Sequence, residues 1–127
     1  MSEDLFKNHE KASHYANNLT DAQKSALNRI KNTIENNLKE SDFSGTKLDL
    51  ENKPVPNGRG GYFNHIKEMR QSYIALAKSV KSLEGSLKNP FLSPGEKQII
   101  VAALDIAYEN IDKIEDLFKG YGKGYML

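Results

Sequence analysis

The candidates for proton-transfer chemistry are three histidines, because histidine titrates nearest to neutral pH. His9 and His14 are five residues apart, which does not place them on one face of a helix, so they are not expected to bind a metal together. His65 follows a segment rich in glycine and proline, and Glu68 comes three residues later. On a helix, that carboxylate reaches the imidazole and favours its protonated form. The pair is either a general base and acid for phosphodiester cleavage or a solvated surface pair.

Basic and glycine residues just before His65 suggest a site for an anion. Arg59, Lys53 and Lys47 could hold a phosphate group and stabilise charge that develops on it. Gly60, Gly61 and the first amides of the following helix could bind the same anion through free N–H groups and the helix dipole. The alternative is that these charges only keep a loop soluble.

Further side chains around this segment have two interpretations each. Phe63 lies off the apolar stripe of its helix and could stack on a base, whereas Tyr62 and Tyr73 are expected in the core. Ser72 lies one turn beyond Glu68 and could also contact a substrate. A third group is acidic: Asp42 and Asp49 are either orienting acids or turn formers.

Composition limits the class of protein. The chain has 127 residues and no cysteine, and the lack of cysteine excludes disulfides, thiolate catalysis and cysteine-based zinc sites. Its net charge is only +1. Because the net charge is so small, any binding of nucleic acid must depend on a local basic patch rather than on overall charge. No segment approaches the ~20 apolar residues of a membrane span, and the acidic start is unlike a signal peptide.

Two helices are predicted in the first 40 residues. A short one covers about residues 3–18, with a poor apolar stripe. The second begins at Thr20, where Gln23 completes a capping box, and runs to about Lys39. Residues 41–61 contain two prolines and four glycines and are predicted to form a functional loop or a flexible linker.

Two longer helices follow the loop. Apolar residues spaced four and three apart predict one helix from Tyr62 to Leu87, and the same spacing predicts another that ends at Phe118. The second helix starts with a capping box at Ser93, with Pro94 at the first helical position. Gly120 is the expected C-cap, and residues 119–127 are expected to form a mobile tail.

These elements predict an all-α fold in one domain over residues 1–127. The N-terminal helices occupy residues 1–40, the loop 41–61 and the hairpin 62–118. The architecture is a long antiparallel helical hairpin with one or two packed N-terminal helices and a Gly/Pro-rich functional loop.

A set of residues and short motifs runs from the middle of the chain to its last helix: Gly45, Asp49, Pro54-Val55-Pro56, Gly60-Gly61-Tyr62, His65, Glu68, Leu83, Leu87, Asn89-Pro90, Leu92-Ser93-Pro94, Ile111 and Glu115-Asp116-Leu117-Phe118. In this set, from about Asp42 onward, the sequence resembles the C-terminal toxin domain of bacterial polymorphic toxins of type 28. An aromatic residue and an aspartate commonly precede the histidine in that family, and Phe63 and Asn64 stand at those positions here.

The resemblance implies a ribonuclease toxin of contact-dependent growth inhibition and interbacterial competition. Such a domain is delivered into rival bacteria as part of a larger secreted carrier protein, acts in the cytoplasm of the target cell and is blocked in the producer by a cognate immunity protein. His65 is then the general base or acid, Glu68 orients it, Arg59 and Lys53 hold the scissile phosphate of an RNA, perhaps a tRNA, and Asp49 supports the loop. The reaction is expected to need no cofactor and no metal.

Two alternatives stay open on the residues alone. One is a non-catalytic helical interaction module, such as an immunity or adaptor protein, that binds a partner through its apolar stripes. The other is a toxin that acts on nucleotides, or on DNA with a metal held by Asp42, Asp49, His65 and Glu68. Sensitivity to a chelator distinguishes the metal-dependent case.

Overall fold

The computed structural model describes residues 19–127, and this part of the chain has an all-α fold. Its helices are α1 (Asp21–Asn37), α2 (Glu40–Leu50), α3 (His65–Leu87) and α4 (Pro94–Gly120), followed by a 3-10 helix at Gly124–Met126. The predicted helix over residues 3–18, with His9 and His14, lies outside the described residues. None of the described helices is both long enough and apolar enough to span a membrane.

The predicted capping box is present at Thr20, and at Ser93 the serine cap is present without the return bond from the Ser93 backbone amide to Glu96. The Thr20 hydroxyl accepts a hydrogen bond from the Gln23 amide at 3.1 Å, and the Gln23 side chain accepts one from the Thr20 amide at 2.9 Å. At the start of α4, the Ser93 hydroxyl accepts from the Glu96 amide at 3.2 Å and donates to its carboxylate at 3.0 Å. These bonds satisfy amides that would otherwise have no partner in the first turn, so both helix starts were predictable.

Helices α3 and α4 form the predicted antiparallel hairpin. The Tyr73 hydroxyl near the start of α3 donates to the Glu115 carboxylate near the end of α4 at 3.5 Å, and burial of the Tyr73 ring raises the pKa of its phenol. Between the helices lies a core in which Leu76, Leu83 and Phe118 are fully buried. The hairpin was predicted because each helix carries one continuous apolar stripe.

Helix α3 begins three residues later than predicted, at His65 rather than at Tyr62. Tyr62 is 63% exposed and pairs with Pro56 in an isolated antiparallel bridge, so its predicted place in the core is wrong. The Asn64 side chain caps the helix by accepting a hydrogen bond from the Lys67 amide at 3.0 Å. That cap sets the start, whereas apolar spacing alone extended the helix backwards.

The two preceding helices pack on α3. Helix α1 buries Ile30 completely, and its Arg29 guanidinium donates to the Ser79 hydroxyl of α3 at 3.3 Å. Helix α2 contacts the start of α3, where the Thr46 hydroxyl lies 3.4 Å from the carbonyl oxygen of His65. Helix α3 is therefore in contact with α1 and, at its first turn, with α2.

Helix α2 corrects the prediction that residues 41–61 form a loop. Its first turn is closed by the Asp42 carboxylate, which accepts a hydrogen bond from the Lys39 amide at 2.9 Å. Gly45 and Thr46 are buried against α3, and Phe43 packs on the edge of the core. Glycine and serine disfavour a helix locally, so packing stabilises α2, and the connecting loop is confined to residues 51–64.

The C-cap of α4 is Tyr121 rather than the predicted Gly120, which is the last residue of the helix. Gly122 has a φ of +69°, and the Lys123 amide donates to the Phe118 carbonyl at 2.8 Å. This is a Schellman motif, whose left-handed residue is commonly glycine. The tail also makes contacts that were not predicted, because the Tyr121 hydroxyl donates to the Glu51 carboxylate and Leu127 packs partly against the core.

Candidate active site

The candidate site is centred on His65, the first residue of α3 and the histidine of the described part of the chain. The Asp49 carboxylate, at the end of α2, accepts hydrogen bonds from the backbone amides of His65 at 2.8 Å and Ile66 at 3.2 Å. A carboxylate at this position satisfies free amides and interacts favourably with the positive end of the helix dipole. Asp49 thus fixes the backbone that carries the histidine.

The Asp49 carboxylate also lies beside the histidine ring. Its Oδ2 atom is 4.0 Å from His65 Nδ1, and the two side chains are only 8% and 15% exposed. Both Asp49 Oδ1 and His65 Nδ1 are buried without a hydrogen-bond partner. An unpaired buried polar group is costly, and a hydrogen bond between these two side chains would satisfy both atoms. Catalytic hydrogen bonds are often long without substrate and shorten when it binds.

Gly45 of α2 lies directly under the imidazole. A Cβ atom at this position would come within 2.6 Å of both Cδ2 and Nε2 of His65, closer than side-chain atoms approach each other. The absence of a side chain therefore creates the space that the ring occupies. Sequence reasoning noted Gly45 only as a break in the pattern and as part of a family resemblance, because the contact joins residues 20 positions apart.

An open cleft of about 570 Å³ lies next to the ring. The Phe63 ring forms one wall, with its centroid 5.5 Å from that of His65 and its plane tilted by 48°. Phe63 is 47% exposed, which agrees with its predicted position off the apolar stripe. The lining residues are Glu40, Ser41, Ser44, Gly45, Leu48, Val55, Phe63 and His65.

Asn57 organises the loop that presents Phe63. Its amide donates to the Gly61 carbonyl at 3.0 Å, and its side-chain oxygen accepts from the amides of Arg59 at 2.8 Å and Gly61 at 3.3 Å. Farther along, the Phe63 amide donates to the Val55 carbonyl at 2.9 Å. These bonds fold residues 55–63 back on themselves and place the Phe63 ring at the cleft.

The predicted anion site on the first amides of α3 is wrong. The amides of His65 and Ile66 already bind Asp49, and that of Lys67 binds Asn64. Gly60 and Gly61 lie several residues before the helix, and the Gly61 amide is bound within the loop. The protein therefore fills its own helix N-terminus with a carboxylate.

Several other predicted residues are either buried or exposed at the surface, without a recorded contact to the imidazole of His65. Ser72 is 4% exposed and its hydroxyl donates to the Glu68 carbonyl, so it is not available to a substrate. Glu68 is exposed, and the acidic group within 4.0 Å of the imidazole in residues 19–127 is Asp49 instead. Arg59, Lys53 and Lys47 are all exposed, the first two on the loop and Lys47 in the last turn of α2.

The alternative metal site is not assembled. Across residues 19–127, no three histidine, cysteine, aspartate or glutamate side chains are grouped so that they could hold an ion. Asp42 is occupied in capping α2, and Asp49 in capping α3. The four residues of that hypothesis therefore do not converge.

Comparisons with known proteins identify the family to which the chain is similar. The sequence model of a family described as bacterial toxin 28 matches residues 18–120. The chain is also 40% identical over 104 residues to the tRNA nuclease CdiA of Escherichia coli O6:K15:H31 (strain 536 / UPEC). The matched part is 82% of this chain but 3% of CdiA. The family match also includes α1, which the resemblance from Asp42 onward had left out.

Proposed function

This chain belongs to the bacterial toxin 28 family, and we propose that it is a cytotoxic endoribonuclease domain that cleaves cellular RNA. The observation that carries the proposal is the setting of His65. Its ring is enclosed on the Nδ1 side by Asp49, rests on Gly45 and borders a cleft with an exposed aromatic wall. Helix α2 therefore holds the ring from two sides, while the ring also borders the cleft through which a substrate can reach it.

The reaction follows from the two nitrogens of the ring. A proton held on Nδ1 by the Asp49 carboxylate leaves Nε2 free to accept the proton of an RNA 2′-hydroxyl. The 2′-oxygen then attacks the adjacent phosphorus, the bond from phosphorus to the 5′-oxygen breaks, and the departing 5′-oxygen takes up a proton. The products are a 2′,3′-cyclic phosphate and a 5′-hydroxyl. Asp49 stabilises the imidazolium that forms, in the way a buried aspartate does in hydrolase triads.

The exposed charges of the neighbouring segments complete the proposed site. Arg59 and Lys53 lie on the loop that presents Phe63, and they are proposed to hold the phosphates on either side of the cut. Lys47 adds a further cation at the end of α2. Glu68 lies one turn after His65, where Cβ atoms are ~5–6 Å apart. Its exposed carboxyl group is proposed to give its own proton to the departing 5′-oxygen, while His65 keeps the proton of the 2′-hydroxyl. It thereby acts on the substrate and not on the histidine ring.

The relative suggests the substrate class and the biological setting. CdiA is named a tRNA nuclease, so tRNA is the first RNA to test. Because the chain corresponds to 3% of CdiA, we propose that it works as a small part of a large carrier protein that is delivered into a target cell. A cognate immunity protein that covers the cleft is the proposed partner in the producing cell.

The cellular test is induced expression in bacteria of the wild type, His65→Ala and Lys67→Ala, with growth and total RNA followed together. Lys67 is the control because its exposed side chain lies in the same helical turn. We expect the wild type and Lys67→Ala to stop growth and fragment RNA, and His65→Ala to do neither. Harmless wild type with intact RNA would favour the interaction-module alternative, and toxicity with intact RNA would keep the family but not the chemistry.

The chemical test uses purified protein and tRNA with and without a chelator. The proposed mechanism predicts that cleavage continues in the chelator and that fragments end in a 2′,3′-cyclic phosphate, which phosphatase removes only after the ring is opened with acid. Loss of cleavage that added divalent metal restores would instead support a metal-dependent nuclease.

A further inference from the structure

We propose that the cleft beside His65 is a subsite for one nucleobase, which stacks on Phe63 and is read by Glu40 and Ser44, with guanine preferred. This inference rests on the proposed ribonuclease activity and adds to it a base specificity for the nucleotide at the cut. It is carried by the composition of the two cleft walls and by the order of residues along α2.

The first wall is apolar and aromatic. Phe63 is 47% exposed although its backbone is fixed by the bond from its amide to the Val55 carbonyl. Val55 and Leu48 line the cleft with it. A fixed, exposed aromatic ring within 5.5 Å of the catalytic imidazole offers a flat apolar face to a ligand. Stacking on aromatic side chains is the usual way in which proteins hold an unpaired RNA base.

The second wall is polar and comes from one face of α2. Glu40, Ser44 and Leu48 follow each other at intervals of four residues and all line the cleft, as does Ser41. Within residues 19–127, no hydrogen bond or ion pair to another side chain engages Glu40 or Ser44. Their polar atoms are therefore available to a ligand.

The order along α2 sets how a nucleotide fits. Gly45 lies against the His65 ring, so Ser44 is next to the reacting end of the cleft. Glu40 lies five residues before Gly45, about 7.5 Å farther along the helix axis. With the ribose hydroxyl at His65, the base extends along Phe63 and presents its edge to Glu40.

The chemistry of Glu40 selects the base. An ionised carboxylate accepts hydrogen bonds and donates none, and its two oxygens bind two parallel N–H groups. Guanine presents such a pair on its Watson–Crick edge, from the ring N1–H and the exocyclic amino group. Uracil presents a single N–H between two carbonyl oxygens, which a carboxylate repels. A glutamine at this position would donate as well as accept, which suits adenine.

The test uses oligonucleotides with one ribonucleotide in an otherwise deoxyribonucleotide strand, so that only one bond has a neighbouring 2′-hydroxyl. Each of the four bases is placed at the ribonucleotide, and kcat/KM is measured for the wild type, Glu40→Ala and Glu40→Gln. Glu109→Ala is the control, because Glu109 is exposed on α4 and does not line the cleft.

We expect the wild type to favour guanine over uracil by about tenfold or more. Glu40→Ala should lose this preference, because kcat/KM falls for guanine and the repulsion of uracil is removed. Glu40→Gln should shift the preference towards adenine, and Glu109→Ala should match the wild type. Phe63→Leu should lower kcat/KM for every base, and Phe63→Trp should restore it. Cleavage with the same preference in Glu40→Ala overturns the subsite and leaves the ribonuclease standing, whereas a wild type that cuts none of these strands and no tRNA overturns both.

Discussion

The imidazole of His65 rests on the backbone of Gly45, at a distance where a Cβ atom would come within 2.6 Å of the ring. Helix α2 therefore contributes to the site by lacking a side chain at one position. Four residues later, Asp49 of the same helix holds the backbone of His65 through its amide at 2.8 Å. One helix thus fixes both the ring and the main chain of the proposed catalytic residue.

Replacing Gly45 with alanine tests this packing. Alanine favours a helix by ~1 kcal/mol over glycine, but here the added methyl group would displace the ring and cost ~1–3 kcal/mol. We expect RNA cleavage to fall at least tenfold and the NMR signals of the His65 ring to shift. Gly85→Ala is the control, because Gly85 lies within α3 and faces open space. That variant should be slightly stabilised and fully active, and equal activity of the two would contradict the packing argument.

Asp49→Asn tests the carboxylate behind the histidine. Asparagine keeps the shape but loses the charge that interacts with two amides and the helix dipole, so the free energy of unfolding should fall by ~1–2 kcal/mol. Asp42→Asn removes the charge of a similar cap at the start of α2 and serves as the control. Urea unfolding should show a lower free energy of unfolding in both variants, while RNA cleavage should fall only in Asp49→Asn. A loss of activity that simply follows stability would remove Asp49 from the mechanism.

Glu68→Gln separates a catalytic carboxyl group from a structural one. The Glu68 side chain is exposed, so the thermal unfolding midpoint of the Glu68→Gln protein should match that of the wild type. As the proposed proton donor, its loss should lower kcat on RNA by ~10²-fold or more. A substrate with a good leaving group, such as a nitrophenyl phosphodiester, needs no protonation of that group and should be cleaved equally by both proteins. If Glu68→Gln cleaves RNA at the wild-type rate, Glu68 is not the proton donor.

Arg59→Ala tests the proposed contact with the RNA backbone. We expect KM to rise with little change in kcat, because the residue holds phosphate groups without reacting. If Arg59 neutralises one phosphate of a single strand, the plot of log binding constant against log salt concentration should become shallower in Arg59→Ala, by ~0.7 in the magnitude of its slope. Lys81→Ala, which removes an exposed cation from α3, should leave both quantities unchanged. If the salt dependence is unchanged in Arg59→Ala, Arg59 does not contact the RNA backbone.

The parts of the fold that depend on neighbouring residues were predictable from the sequence. The capping box at Thr20 and the serine cap at Ser93 are formed within four residues, and the hairpin helices carry apolar stripes long enough to identify them. His65 and Phe63 were singled out because their types and positions differ from those of core residues. These signals are local, so no tertiary information was required.

The remaining features depend on contacts between distant residues. Helix α2 has glycine and serine in its interior and no clear apolar stripe, so only its packing on α3 explains it. The partner of the histidine was expected three residues away at Glu68 but is Asp49, 16 residues before it. The same carboxylate occupies the amides that were assigned to a phosphate. Spacing along the chain carries no information on such pairings.

The bond from the His65 amide to Asp49 forms only when the chain folds. The histidine, its carboxylate and the glycine beneath it come from two helices joined by a 14-residue connection, over residues 51–64, and none of these contacts exists in an extended chain. Docking of α2 on α3 is therefore the event that creates a competent centre. If the chain crosses a membrane unfolded, as the proposed delivery would allow, the proposed ribonuclease centre would form only when these two helices meet.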